Sequence, residues 1–196
     1  MTVAEEKARL RQQVRAELAA LTPVQRAEAS RLAVERLINW PVYQAARTVL
    51  LTASLPDELD LTPLIDLARG SGKRCALPAF DPALDGYVAR EWDRPVAALS
   101  VGRFGIREPD AGCPVLPVPV LDLIVVPGVA FDQSGARIGR GKGYFDRLLS
   151  RSTVAVSCGV GFEQQCVPKV PMEPHDVQLA YILTPSRVVD CRALGL

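Results

Sequence analysis

The chain has 196 residues, of which 48% are apolar and 23% are charged, and its net charge is +1. This length and composition predict a single domain, residues 1–196, with a full apolar core. The balanced charge argues against a nucleic-acid-binding tail and against an anchor for anionic membranes, so any anion site must be local.

The N-terminus and the cysteines both favour a cytoplasmic protein. The first 18 residues carry charge throughout, unlike a signal peptide, and no apolar run approaches the ~20 residues that a membrane span needs. The five cysteines are widely spaced and form no Cys-x-x-Cys pair, which favours reduced thiols. With His175 as the one histidine, a zinc site or a Ser-His-Asp triad has little support.

Two helices are predicted at the start of the chain. Residues 4–20 contain an apolar row and a basic row, each at four-residue spacing: Leu10, Val14 and Leu18, and Lys7, Arg11 and Arg15. On spacing alone, the basic row is a solvated face that pairs with nearby glutamates. Thr22-Pro23 marks a second helix, with threonine as N-cap and proline in the first turn, which runs to about residue 39 before Pro41 ends it.

Short apolar strands then alternate with helices. Strands are predicted over residues 47–54, 73–78, 87–92, 121–126 and 153–162, with a last apolar piece at 179–183, and helices over 62–70 and from 144 to about 151. Residues 93–120 are rich in proline and glycine and are expected to wrap the surface. The alternation predicts an α/β fold with a mainly parallel sheet covered on both faces.

The segment from 121 to 149 carries the strongest functional signal. An apolar run closed by Pro127-Gly128 is followed by a glycine-rich loop and then by a helix. Glycines allow backbone N–H groups to approach an anion, and a helix N-terminus favours negative charge. Cations interleave with these glycines and an acidic residue follows: Gly135, Arg137, Gly139, Arg140, Gly141, Lys142, Gly143 and Asp146. The loop is therefore predicted to bind phosphate, with Asp146 able to hold Mg²⁺.

The glycine spacing matches neither of two familiar nucleotide loops. Lys142 is followed by Gly143 and not by a hydroxyl residue, so the segment is not G-x-x-x-x-G-K-[ST]. The glycines fall at G-x-G-x-G, which also excludes G-x-G-x-x-G. A flexible basic turn that binds nothing stays open as the plain alternative.

The same segment resembles the signature of the 5-formyltetrahydrofolate cyclo-ligase (methenyltetrahydrofolate synthetase) family. That signature runs from an apolar strand through Pro-Gly, an apolar residue, Phe-Asp and Gly to Arg-Leu-Gly-x-Gly-x-Gly-Tyr-Tyr-Asp. This chain has Pro127-Gly128, Phe131-Asp132 and Gly135, and then, from residue 137 to 146, Arg-Ile-Gly-Arg-Gly-Lys-Gly-Tyr-Phe-Asp. The likeness extends from about residue 7 to residue 187.

The resemblance implies a fold and a reaction. The fold is a three-layer α/β/α sandwich of the kind shared with sugar-phosphate isomerases (NagB/RpiA-like) and CoA transferases. The reaction is the ATP- and Mg²⁺-dependent cyclisation of 5-formyltetrahydrofolate to 5,10-methenyltetrahydrofolate, with release of ADP and phosphate. It implies small-molecule partners, no nucleic acid and no membrane, and we expect a monomer or a weak dimer.

The resemblance also implies roles for individual residues. Family members open with a helix that carries Lys-x-x-x-Arg toward the nucleotide phosphates, and we place that pair on Arg11 and Arg15, with Lys7 one turn earlier as a substitute. The remaining ATP-binding residues would come from the loop: Arg137, Gly139, Arg140, Gly141, Lys142, Gly143 and Tyr144. Folate would be bound by Leu55, Glu58 and Tyr144, and Mg²⁺ by Asp146. Arg140 or Lys142 would supply the cation that stabilises the transition state.

Departures from the family pattern leave two alternatives open. Phe145 replaces the second tyrosine, Arg11 replaces lysine, and Ala180 stands where the family has the second aspartate of His-Asp-x-x-x-Asp. These differences support a non-catalytic nucleotide- or folate-binding paralogue. A sugar-phosphate isomerase of the same fold is a third possibility, and Asp132 would then be its base. Trp92 and Phe104 are candidates to stack on a flat ring, although such aromatics are more often core residues, and His175 is expected to position the loop of Asp176.

Overall fold

The computed structural model describes residues 1–152 and 154–194. The helices of this part are α1 (Val3–Ala19), α2 (Pro23–Asn39), α3 (Pro41–Ala45), α4 (Thr62–Gly70) and α5 (Tyr144–Leu149). Short 3₁₀ turns cover Val96–Ala98, Arg103–Gly105, Val118–Val120, Glu163–Gln165 and Cys191–Leu194. Within the described residues, no helix has both the length and the apolar character needed to cross a membrane.

One large sheet forms the centre of the molecule. Its eight strands lie in the order β12-β11-β10-β7-β1-β2-β3-β6. The five from β11 to β2 run parallel, and the flanking β12, β3 and β6 run antiparallel to their neighbours. The strands are β1 (Thr48–Leu50), β2 (Arg74–Asp81), β3 (Gly86–Glu91), β6 (Val115–Leu116), β7 (Leu123–Pro127), β10 (Val156–Val160), β11 (Tyr181–Leu183) and β12 (Val188–Asp190).

Two small hairpins lie outside the large sheet. Strands β4 (Ser100–Val101) and β5 (Arg107–Glu108) pair in one of them, and β8 (Ala130–Phe131) and β9 (Arg137–Ile138) pair in the other. The second hairpin joins the end of β7 to the glycine-rich loop. It therefore brings the loop back over the carboxyl end of the sheet.

Helices and loops cover both faces of the sheet, as predicted. One face packs against α1 to α4, for example through Val14, Leu37 and Leu64. The other face packs against α5 through Leu148 and Leu149, and against loop residues such as Phe131. The three-layer α/β/α arrangement is confirmed, but its second outer layer is a single short helix with loops.

Local signals predicted the helix ends well. Thr22 caps α2 by accepting a hydrogen bond from the backbone N–H of Gln25, and Pro23 occupies the first turn. Helix α1 begins at Val3 with a capping box between Thr2 and Glu5, one residue before the predicted start. Pro41 ends α2, but it also begins α3, a one-turn helix that was not predicted from the sequence.

Several strand boundaries differ from the prediction. The first strand ends at Leu50, four residues before the predicted end, although the backbone N–H of Leu51 still donates to the carbonyl oxygen of Ala76. The strand predicted over 153–162 covers Val156–Val160, and Thr153 lies outside the described residues. Residues 93–120 were expected only to wrap the surface, yet Val115–Leu116 extends the large sheet at one edge.

The buried side chain of Glu108 connects residues 93–120 to strand β2. Its side chain is buried, and one carboxylate oxygen accepts the backbone N–H of Phe80 at 2.9 Å, while the other has no hydrogen-bond partner among the described residues. Burial raises the pKa of Glu108, which the hydrogen bond only partly offsets. A raised pKa in the folded state means that the ionised form costs stability as the pH rises through that value.

We therefore expect Glu108→Gln to be more stable than the wild type at pH 8, because glutamine removes the buried charge and keeps the acceptor. At pH 4 the advantage should shrink, since the glutamate is then protonated. Thermal unfolding at the two pH values measures the difference. A variant whose advantage is the same at both values would contradict a buried charge as its cause.

Candidate active site

A cavity of about 580 Å³ lies at the carboxyl end of the parallel strands. The segments after β1 and β7 form its floor, and the glycine-rich loop, the start of α1 and the segment 173–176 form its walls. Because this is where ligands collect in open α/β sheets, the cavity is the candidate active site.

The glycine-rich loop crosses one wall of the cavity. Gly141 has φ +98° and Gly143 has φ +64°, conformations that residues with a side chain rarely adopt. Gly143 also precedes the first residue of α5, which spans six residues and ends at Leu149 rather than near 151. Lys142 lies between these two glycines and lines the cavity.

Helix α1 presents two cations to the cavity, and they are Lys7 and Arg11. The Nε of Arg11 donates to the carbonyl oxygen of Gly139 at 2.9 Å, which joins α1 to the glycine-rich loop. Arg15 is exposed and is not among the described residues that line the cavity. Burial and the nearby charge of Arg15 lower the pKa of Arg11, so an anionic ligand would stabilise the Arg11 guanidinium.

Lys7 is buried between two carboxylates of the opposite wall. Its Nζ lies 2.8 Å from Glu173 and 2.5 Å from Asp176. Although burial opposes the charge, hydrogen bonds to Asp176 and Glu173 raise the pKa of Lys7. Lys7 in turn helps to lower the pKa of Asp176, against the effect of burial. The pair joins α1 to the segment 173–176, where His175 is exposed at the rim, 3.8 Å from Asp176.

Arg137 and Asp146 form a buried ion pair beneath the loop. Nη2 of Arg137 donates to both carboxylate oxygens of Asp146 at 2.9 Å, and Nη1 donates to the carbonyl oxygen of Pro127. The Arg137 side chain is only 3% exposed. Two residues that were predicted to hold phosphate and Mg²⁺ separately are therefore bound to each other at the cavity wall.

Arg140 and Glu58 are also paired across the cavity. Nη2 of Arg140 lies 3.1 Å from Glu58 and 2.6 Å from the neighbouring Asp57. The second oxygen of Glu58 accepts the backbone N–H of Leu55 at 3.1 Å. Although burial opposes its charge, Arg140 has a raised pKa because it bonds to Asp57 and is attracted by Glu58. The structure thus brings together residues that were predicted to bind different substrates.

Aromatic side chains line the part of the cavity near Glu58. Tyr144 makes edge contacts with Phe80 and Tyr87, and the ring centroid of Phe104 lies 5.9 Å from that of Tyr144. Phe104 is 49% exposed, which leaves its ring available to a planar ligand. Trp92, the other predicted stacking residue, is buried in the core, so the core interpretation is correct for it.

Two residues behind the alternative functions lie away from this cavity. Asp132, the candidate isomerase base, is buried and accepts hydrogen bonds from the backbone N–H groups of Ser134 and Val170. Its partners show a structural role in the β8–β9 turn. Ala180 precedes β11 and is bonded through its backbone N–H to Ser157. Among the described residues, neither Asp132 nor Ala180 lines the cavity.

Three residues in or beside the cavity were not predicted from the sequence. Glu173 lines the cavity but has no motif of its own, although it stands two residues before His175. Asp57 was passed over in favour of its neighbour Glu58. Tyr87 lies near the start of β3, where β3 pairs with the end of β2. This position lines the cavity and contacts Tyr144, and it depends on the pairing of the two strands.

Comparison with known proteins places this site in a family. The model of the 5-formyltetrahydrofolate cyclo-ligase family matches residues 3–185, which is most of the chain. The chain belongs to that family. The matched range contains both the glycine-rich loop and the N-terminal cations, so the cyclo-ligase resemblance is confirmed beyond its signature segment.

Named relatives agree with the cyclo-ligase assignment. The chain is 37% identical over 172 residues to the 5-formyltetrahydrofolate cyclo-ligase of Escherichia coli (strain K12), covering 86% of this chain and 94% of the relative. It is 35% identical over 150 residues to the enzyme of the same name from Mycolicibacterium smegmatis, covering 73% and 76%.

Solved structures share the cyclo-ligase fold. The solution structure of the Aquifex aeolicus 5,10-methenyltetrahydrofolate synthetase superimposes with a TM-score of 0.84 at 32% identity, covering 95% of this chain and 93% of that one. A synthetase from Mycoplasma pneumoniae has a TM-score of 0.73 at 19% identity, covering 91% and 98%, and supports the fold alone.

Proposed function

We propose that the chain catalyses the ATP-dependent cyclisation of 5-formyltetrahydrofolate to 5,10-methenyltetrahydrofolate, releasing ADP and phosphate. One observation carries the proposal beyond family membership. One cavity is lined by the cations of α1 and the glycine-rich loop, and also by the aromatic residues Phe104 and Tyr144 with the carboxylate of Glu58. A triphosphate suits the cations by charge, and a flat, amino-bearing pterin ring suits the aromatic residues and the carboxylate.

We assign the phosphate contacts to Lys7, Arg11, Lys142 and the backbone of the glycine-rich loop. This assignment lies one helical turn before the expected pair of Arg11 and Arg15, because Arg15 does not line the cavity. Arg137 is assigned a structural role in place of a direct phosphate contact, since both oxygens of Asp146 already hold its guanidinium.

The folate is assigned to Leu55, Glu58, Phe104 and Tyr144. A carboxylate accepts two parallel hydrogen bonds from an amino-pyrimidine edge, and Glu58 stands beside the aromatic residues that would sandwich the ring. Phe104 and Tyr144 supply apolar faces at low entropic cost, since each has two side-chain torsions.

Asp146 is a suitable donor for the Mg²⁺ that accompanies ATP. Both of its oxygens bond to Arg137, but a carboxylate offers about four lone-pair positions, so acceptor capacity is left over. Mg²⁺ commonly binds through one or two carboxylates together with phosphate oxygens and water. When bound, the ion would neutralise charge on the phosphates.

The chain's residues act by positioning and by charge. The formyl oxygen of the folate attacks the γ-phosphorus, ADP leaves, the neighbouring amine nitrogen closes the ring and phosphate is expelled. Arg140 and Lys142 stabilise the negative charge that develops on the transferred phosphoryl group, and Glu58 with the aromatic wall aligns the formyl group. The protein needs no covalent nucleophile for these steps.

An absorbance assay tests the proposed function. Purified protein is mixed with 5-formyltetrahydrofolate and Mg-ATP, and the near-ultraviolet absorbance of the methenyl product is followed. We expect this absorbance to increase only when ATP is present. Binding of ATP by calorimetry without any product would instead support the non-catalytic paralogue. A cytoplasmic location and a monomer or weak dimer stay predictions.

A further inference from the structure

Asp57 has no place in the proposed chemistry, yet it makes the shortest contact to Arg140. Its carboxylate lies 2.6 Å from Nη2 of Arg140, against 3.1 Å for Glu58. Asp57 is 54% exposed and is not among the described residues lining the cavity, so neither substrate is expected to touch it. Its side chain bonds to the guanidinium of Arg140, which the proposed reaction needs at the transferred phosphoryl group.

The turn that carries the two carboxylates is fixed from several directions. Glu58 and Leu55 exchange hydrogen bonds, through the backbone N–H of Glu58 and through its carboxylate. Arg26 of α2 donates to the carbonyl oxygen of Asp57. The acceptor pair is therefore held in place, and the flexible partner is Arg140 on the glycine-rich loop.

We propose that Asp57 is a positioning residue that holds Arg140 against Glu58 in the unliganded protein, in competition with the phosphates of the nucleotide. This inference rests on the proposed function. When phosphates draw Arg140 away, the Glu58 oxygen that accepted from Arg140 becomes free for the folate. Nucleotide binding then favours folate binding, and by linkage the reverse also holds.

The size of the effect follows from exposure. Asp57 and Arg140 are both partly exposed, and ion pairs of this kind change an equilibrium by about twofold to fivefold. Asp57→Asn removes the competing charge and keeps the side-chain volume. The variant is therefore expected to bind nucleotide more tightly by this factor, a direction that general damage to the site would not produce.

Calorimetry with Mg²⁺ and the non-hydrolysable β,γ-imido analogue of ATP is the test. Asp57→Asn should lower the dissociation constant for this analogue about twofold to fivefold. Asp57→Glu keeps the negative charge and should have a dissociation constant close to that of the wild type. Asp93→Asn, which removes the same charge from an exposed position outside the cavity, controls for overall charge. In an Arg140→Ala background, Asp57→Asn should have no effect, as a double-mutant cycle requires.

Folate binding gives an independent reading. The ATP analogue should tighten binding of 5-formyltetrahydrofolate to the wild type and leave it unchanged in Arg140→Ala. Unchanged or weaker nucleotide binding by Asp57→Asn, or an effect of Asp57→Asn that persists without Arg140, would overturn the inference. The product assay on the wild type separates the two claims, since product formation with either of these results leaves the proposed function standing.

Discussion

Replacing Arg137 with alanine is expected to lower the free energy of unfolding by about 3–5 kcal/mol, because it leaves the partly buried carboxylate of Asp146 without its partner. The side chains of Arg137 and Asp146 are 3% and 15% exposed. The substitution also removes the donor to the carbonyl oxygen of Pro127, at the end of the central strand β7. Urea unfolding followed by circular dichroism measures the change.

Two further variants identify the cause of that loss. Arg137→Met combined with Asp146→Asn removes both charges, and we expect it to recover much of the stability. Arg31→Ala removes an arginine from an exposed ion-pair cluster on α2 and should change the free energy by less than about 1 kcal/mol. An Arg137→Ala protein that is as stable as Arg31→Ala but binds ATP poorly would return Arg137 to the phosphate-binding role predicted from the sequence.

The fold was largely predictable because its signals are local. Thr22 and Pro23 cap a helix through atoms within one turn, and the apolar run before Pro127 suits only a buried strand in this setting. Edge elements were not predictable in the same way. Strands β6 and β12 contain two and three residues, too few for a period to show, and they exist because a neighbouring strand offers free hydrogen-bonding groups.

Candidate residues of the site were easier to predict than their partners. The loop sequence predicted that its cations and glycines would bind an anion. In the structure, however, Arg140 pairs with a residue 82 positions away, and Lys7 pairs with one 169 positions away. Composition gives no information about such partners. The position along α1 was equally hard to predict, since Lys7 and Arg15 are separated by about 12 Å of helix rise. Among the described residues, Lys7 lines the cavity and Arg15 does not.

The ion pairs also bear on how a nearly neutral chain would bind the proposed triphosphate. Three cations at the cavity, Lys7, Arg137 and Arg140, are each paired with carboxylates. Paired cations keep their geometry without an accumulation of like charge that would oppose folding. Arg140 differs from the other two, because it is substantially exposed and its partners lie on a neighbouring wall, so it is the cation best placed to change partners.

Arg140→Ala is accordingly expected to reduce kcat for methenyl product formation about 100-fold to 1000-fold, as is typical when one preorganised donor to a developing charge is removed. Arg140→Lys keeps the charge but loses the fork that can bond two phosphate oxygens at once, and it should recover only part of the rate. The absorbance assay with saturating ATP and folate measures kcat directly, and Arg31→Ala, far from the cavity, should match the wild type.

A small loss of rate would rule out Arg140 as the cation that stabilises the transition state. A loss smaller than about tenfold corresponds to less than about 1.4 kcal/mol of transition-state stabilisation, which is too little for a cation at the transferred phosphoryl group. In that case Lys142, which lies on the same loop between Gly141 and Gly143, would be the remaining candidate. The unfolding of Arg140→Ala should be measured beside its rate, because Glu58 is only 16% exposed and loses its cation in this variant. A large rate loss in protein that is still folded would report chemistry.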